Sequence, residues 1–387
     1  MVHEFKETSS QSWFSRIKGA FSGILVGLIM FAASFVLLFW NEGRAVQTHK
    51  TLQEGAAGVA SVDSQRIDPT YEGKLVHITG KADTQETLSD PDFNISVKAL
   101  RLQRQVEMLQ WHEESKSETR KKLGGGTETV TTYSYKTRWS DRLVNSANFR
   151  HPEGHENPAS FPMESLSKQA GRVTVGAFLL TPGQISRISK METLALKKSN
   201  RPPKKLMGKG RLQNGVMYFG SKSQNKVGDF RVMYQVVYPT QVSLVAKQSG
   251  QGLVGYKAKA GGTIDMLSLG NIPAESMFKS AIAQNKVMTW VLRFVGLMMM
   301  FIGLKLVLRV FSVLADVVPI FGNIVGAGTG LIAFLVALCL SLITIAVAWI
   351  YYRPMIGGIL LVIAIGVAVF AQMRVKKAHA PQELAAD

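Results

Sequence analysis

The chain has 387 residues, is 46% hydrophobic and carries a formal charge of +18 at pH 7. That hydrophobic share averages a greasy last quarter with a long polar stretch, which excludes both a purely soluble and a purely membrane-embedded class. Most of the positive excess lies between residues 41 and 286, and the single cysteine, Cys339, excludes an intrachain disulfide.

In chain order, residues 1–18 read as a cytoplasmic tail and Gly19 to Trp40 as a first apolar run. The polar stretch 41–286 follows, then apolar runs at 287–308, 324–350 and 355–371, with an amphipathic interface segment at 309–323 and a cytoplasmic tail at 372–387. A helix rises about 1.5 Å per residue and needs roughly 20 apolar residues to cross the hydrocarbon. Each run qualifies or nearly qualifies. The expected fold is an α+β membrane protein with four transmembrane helices, one N-terminal and three C-terminal, and a large β-rich extracytoplasmic domain between helices 1 and 2. Lys6, Arg16 and Lys18, then Lys305 and Arg309, then Arg374, Lys376 and Lys377 flank the ends that four spans leave on one side. The positive-inside rule therefore puts both termini in the cytoplasm and the large loop in a periplasm or organelle lumen, with the first run an uncleaved signal anchor. Nucleic acid is not a usual partner there. Anionic headgroups, acidic glycans or acidic protein faces suit a basic loop better.

The loop is patterned mainly for strands. Lys74 to Gly80 is a β-branched run closed by glycine. Leu100, Leu102, Val106 and Met108 share one strand face, with Arg104 as an exception, and Tyr133, Tyr135, Thr137 and Trp139 alternate again beyond Gly124 to Gly126. Two long strands paired as a hairpin with the glycines at its tip are expected. Further strands are expected at Arg172 to Leu180, Gly215 to Phe219, Asp229 to Tyr238, Gln241 to Lys247 and Thr263 to Leu269, and a helix from Ala274 into the second span.

The same stretches carry a resemblance. Asn41-Glu42-Gly43-Arg44-Ala45 follows the first span, then Leu75-Val76-His77-Ile78, Leu88-Ser89-Asp90-Pro91, Val106-Glu107-Met108 with Gln110-Trp111, and Tyr133-Ser134-Tyr135. Asn145-Ser146, Asn148-Phe149, Gly154-His155, Asn157-Pro158, Val227-Gly228-Asp229 and Tyr352-Arg353-Pro354 complete the series. In this order the chain resembles the LUMA family of four-span membrane proteins over nearly its whole length from the first span onward. The resemblance implies a role in organising membrane protein complexes. For eukaryotic members it implies the endoplasmic reticulum and inner nuclear membrane, with lamins and emerin as partners. The longer N-terminal extension associated with animal members is absent, and the ending Ala-Pro-Gln-Glu-Leu-Ala-Ala-Asp favours a bacterial inner membrane.

Several residues invite chemistry. Glu42 stands where the first span ends, and Arg293 lies a few residues inside the same face on the second, where an unpaired charge costs about 2 to 3 kcal/mol. A Glu42–Arg293 clamp between spans is expected. Lys305, Arg309, Ser312 and Asp316 form a narrow polar stripe, read either as a lipid-facing interfacial helix bending near Gly303 or as a polar seam against a neighbouring span. Gly19, Gly23 and Gly27, and again Gly322, Gly326 and Gly330, recur every fourth residue and suit close helix packing, within one subunit or between copies. Lys197, Lys198, Arg201, Lys204 and Lys205 surround Pro202-Pro203 and read as a solvated loop or a contact for anionic surfaces. His151 and His155 are four apart, but Pro152 and Gly154 make this a loop and not a zinc helix.

No catalytic elbow, metal, cofactor or phosphate-loop pattern is present, so no enzyme activity is expected. The leading expectation is a non-enzymatic membrane scaffold that contacts lipids and other membrane proteins. An oligomeric channel or transporter component is the alternative.

Overall fold

The computed structural model describes residues 3–206, 210–221, 225–355 and 358–359. Two compact units emerge. One contains residues 51–120 and 128–281 together with the N-terminal strand; the other contains 11–50, 121–127 and the described residues from 282 onward.

The first unit is built on two sheets with one shared core. In the eight-stranded sheet, β1 (His3–Gln11) neighbours a strand from Thr127 to Ser140, which pairs with the long strand Arg101–Lys121; beyond it lie Phe230–Val237, Val216–Phe219 and Gly210–Gln213. Register follows the alternation: Leu102, Arg104, Val106 and Met108 stand opposite Val236, Tyr234, Val232 and Phe230, all turned inward. Arg104 is no exception to that face. It is buried, and its guanidinium reaches the Asp90 and Asp92 carboxylates at 2.8 Å each, while the Tyr234 hydroxyl donates to Asp90 at 2.6 Å. Burial and the Asp90 bond push the Tyr234 phenol far above its ordinary range.

The second sheet centres on Leu75–Asp83 paired antiparallel with Thr240–Ser249, so that Ile78 faces Leu244. Val76, Ile78, Leu244 and Ala246 join Leu102, Val106 and Val232 in a single core. The strand expected over Arg172 to Leu180 is instead two short pieces, Thr174–Val175 and Phe178–Leu179, folded back on each other. Gly176 makes the reversal with φ of 59°, pressed against the Ser64 backbone where a Cβ has no room.

The second unit is helical. α1 (Trp13–Gly58), α2 (Ala274–Ala315) and α3 (Pro319–Tyr352) are each long and apolar enough to cross a membrane. Leu38, Met300 and Ala337 form its buried centre, one residue from each helix.

One expectation is corrected, and two segments take a local form the sequence pattern did not show. Among the described residues there are three membrane-length helices, one N-terminal and two C-terminal, and not four. The fourth expected span, 355–371, falls almost wholly outside the described residues. The supposed tail at residues 1–18 holds β1 and the first turns of α1. Its residues have specific partners: Phe5 stacks on His151, and Glu7 pairs with Arg150 at 2.8 Å. Residues 309–323 are not a separate element among those described. α2 runs unbroken past Gly303 to Ala315, and Pro319 opens α3 at a first-turn position that needs no N–H.

Candidate functional site

The strongest polar constellation of the helical unit lies where α1 carries the Asn41-Glu42-Gly43-Arg44 run. Glu42 is fully buried, and Arg293 of α2 clasps it bidentately, Nε to Oε1 at 2.6 Å and Nη2 to Oε2 at 2.9 Å. Trp349 of α3 donates its indole N–H to Oε2 at 2.8 Å. One carboxylate thereby links all three helices. Both of its oxygens are occupied, which is what a buried charge needs to be tolerated.

Neighbouring positions extend the lock. Asn285, Thr289 and Arg293 recur every fourth residue, so they form one polar stripe on α2. Arg44 donates to the Asn285 side-chain oxygen at 3.1 Å and to the Thr289 hydroxyl and the Asn41 oxygen at 3.2 Å each. Asn41 in turn donates to the Thr289 carbonyl at 3.1 Å, and Asn285 to the Ala45 carbonyl at 2.9 Å. Gly43 has no side chain because the Tyr352 ring takes that space, 2.5 Å from where a Cβ would stand. Each residue of the run thus has a definite packing or bonding role.

Beside this lock is an open cavity of about 400 Å³, lined among others by His49, Lys286, Trp290, Arg293, Trp349 and Arg353. The Arg293 guanidinium sits over the Trp290 ring at 4.8 Å and the Trp349 ring at 5.5 Å, and Arg353 over Trp349 at 5.9 Å. Asn285, Thr289, Trp290 and Trp349 were not singled out by sequence reasoning, and Arg353 entered only through the Tyr352-Arg353-Pro354 motif of the resemblance. The fourfold spacing of Asn285, Thr289 and Arg293 in an apolar helix was the available signal.

The other sequence-derived candidates divide. In the polar stripe, Lys305 and Arg309 are exposed, and with Ser312, Gly326 and Thr329 they line a cavity of about 320 Å³. Ser312 donates to the Gly322 carbonyl at 3.2 Å. Asp316 is buried and does not face lipid: it pairs with Arg16 and, at 2.6 Å, with Lys121 of the hairpin tip. Of the glycines, Gly27 packs directly on Gly303, whose carbonyl oxygen lies 2.7 Å from a Cβ placed at 27, while Gly23 only grazes Leu306. Gly322 and Gly326 pack on Asp316 and Ser312, whereas a Cβ at Gly19 or Gly330 would meet nothing within 4 Å among the described residues. The two glycine series therefore do not face each other. Lys197, Lys198, Arg201, Lys204 and Lys205 are all exposed on a loop with one short turn of helix at Lys204–Leu206.

In the β unit, His155 is buried, stacked on Tyr135 at 4.0 Å and edge-on to Trp111 at 4.9 Å. It serves as a core aromatic. Among the described residues no group of three or more His, Cys, Asp or Glu side chains converges as a metal site would require. A groove of about 840 Å³ passes Lys81, Asp83, Glu86 and Arg172. Its carboxylates already have partners: Glu86 accepts from the Gly171 and Arg172 backbone N–H groups at 2.9 and 2.6 Å, and Asp83 faces Lys98 at 3.4 Å.

A β-rich unit inserted between the first and second of several membrane-length helices, with a buried ion pair joining those helices, defines a multi-pass integral membrane protein. The sequence model of the family described as Transmembrane protein 43 matches residues 108–354. The chain is 37% identical to human Transmembrane protein 43 over 93% of each chain, and 35% identical to the mouse protein over 94% of this chain and 92% of that one. A Drosophila homolog is 32% identical over 87% of this chain and 90% of its own. The chain belongs to the Transmembrane protein 43, or LUMA, family. No solved structure matches it.

Proposed function

We propose that this protein is a non-enzymatic membrane scaffold that organises other membrane or envelope proteins. The observation that carries this reading is the use made of the intramembrane polar groups. Glu42, Arg293, Asn41, Asn285 and Thr289 are spent on holding helices together and do not converge on a substrate. Such a lock makes a rigid anchor from which a large β unit with an exposed basic loop, Lys197 to Lys205, can contact partners. Family membership supports the same reading. Lys6, Arg16 and Lys18 ahead of the apolar part of α1, with Lys305 and Arg309 near the end of α2, support a cytoplasmic location for those two ends and a β unit on the opposite face.

Crosslinking in native membranes, followed by mass spectrometry of the tagged full chain, tests the proposal. The scaffold reading expects the same membrane proteins to be recovered repeatedly, bridged through the β unit and lost when Lys197, Lys198, Arg201, Lys204 and Lys205 become glutamine. Recovery of self-crosslinks alone would overturn it.

A further inference from the structure

We propose that the cavity lined by Lys286, Arg353 and the Trp290 and Trp349 rings is a binding site for the phosphate of an anionic phospholipid headgroup. Charge comes first. Arg293 is neutralised by Glu42, whose two oxygens are both occupied. Lys286 and Arg353 have no carboxylate within ion-pair distance among the described residues, and both face the cavity. Two cations without counter-ions at the mouth of a cavity of about 400 Å³ call for an anion.

Depth comes next. Trp290 is 68% exposed, Tyr351 70% and Trp40 54%, and these residues flank the lock in sequence on all three helices. Exposed Trp and Tyr at the ends of apolar helices mark the headgroup level of a bilayer. Towards the middle of the helices the flanking residues are apolar and exposed, including Val287, Val291 and Phe294. A soluble phosphate gains nothing from that surface, whereas a phospholipid lays its acyl chains along it while its phosphate meets Lys286 and Arg353. The site does not depend on the scaffold reading, because the same cavity would hold a lipid whether or not the protein gathers partners.

The test uses the full chain in mixed phosphatidylcholine and phosphatidylglycerol nanodiscs, extracted gently and weighed by native mass spectrometry. The wild type is expected to retain phosphatidylglycerol over phosphatidylcholine by about tenfold, as one or two charge-assisted hydrogen bonds supply. The double variant Lys286→Gln, Arg353→Gln should lose that preference, and Arg353→Lys should keep most of it. Lys197→Gln with Lys198→Gln, on the basic loop of the β unit and outside the cavity lining, should keep all of it. A melting temperature close to the wild type's, required of each variant, separates lost binding from lost fold. Equal retention of both lipids by the wild type, or an undiminished preference in the double variant, would overturn the proposal. So would displacement of the lipid by millimolar inorganic phosphate, which would make this a soluble-anion site.

Discussion

At the scale of single residues, two of the buried ionisable systems, the Glu42–Arg293 pair and His77, have measurable signatures. Removing one partner of the Glu42–Arg293 pair leaves a charge without its counter-ion in a low-dielectric site, a loss of about 3 to 5 kcal/mol. Glu42→Gln and Arg293→Met are each expected to lower the denaturation midpoint in detergent, and the double variant to recover most of the loss. Additive losses in the cycle would mean that the two side chains act independently. His77 gives a pH dependence. Its Nε2 lies 3.0 Å from the Ile272 carbonyl, which can only accept, so Nε2 carries the proton and Nδ1 accepts from Ser61 at 3.1 Å. Burial holds its pKa below the ordinary value against the opposing Ile272 bond. A depressed imidazole pKa means that the unfolded chain binds the proton more readily. Its contribution to stability is therefore complete above the unfolded value of about 6.5 and is lost as pH falls through the folded one. Chemical denaturation between pH 7.5 and 5 should show the β unit weakening, and His77→Gln should flatten that slope.

Secondary-structure elements were readable where the pattern had one cause. Alternation located the paired strands Arg101–Lys121 and Phe230–Val237 because one face of each enters the core. The stretch 172–180 misled because its apolar run continues through Gly176, and only the neighbouring Ser64 backbone shows that the chain must reverse there. Glycine spacing likewise exposed small residues without saying what they touch. Gly27 meets Gly303, a residue outside either series, while Gly19 meets nothing among the described residues. Gly27→Leu is accordingly expected to force α1 from α2 and cost about 1 to 3 kcal/mol, by analogy with overpacked cores. Gly19→Leu should leave the melting temperature in detergent unchanged. Equal effects would dismiss the Gly27–Gly303 contact as the closest approach.

For the whole molecule, the membrane sets up a competition. β1 precedes α1, whereas its neighbour in the sheet, Thr127–Ser140, follows α1. A helix that crosses a bilayer separates its two ends. Pairing of β1 and the Lys121–Asp316 bridge therefore compete with crossing. An edge strand contributes a few hydrogen bonds of about 1 kcal/mol net each. Inserting some 20 apolar residues at roughly −0.3 to −0.6 kcal/mol for each large one gives several kcal/mol more. Crossing should win. In a Cys339→Ala background, Ser9→Cys and Ser160→Cys are expected to react with an impermeant maleimide from opposite sides of sealed vesicles. Reaction from the same side would show that β1 keeps its place and that α1 enters and leaves on one face.

The sequence by itself determined the class: long apolar runs around a polar, β-patterned stretch, and the Glu42 and Arg293 charges placed where lone charges are costly. Those are properties of local composition, and composition is all that hydropathy and alternation read. Which charge is buried with which partner depends on distances across hundreds of residues, and only the tertiary structure decided that. It turned Arg104 inward to Asp90 and Tyr234, took Asp316 out of the stripe expected to face lipid, and brought Trp349 and Arg353 beside a pair whose members lie 251 residues apart in the chain. A polar side chain's role is set by what closes over it, and that is assembled from α1, α2 and α3 together.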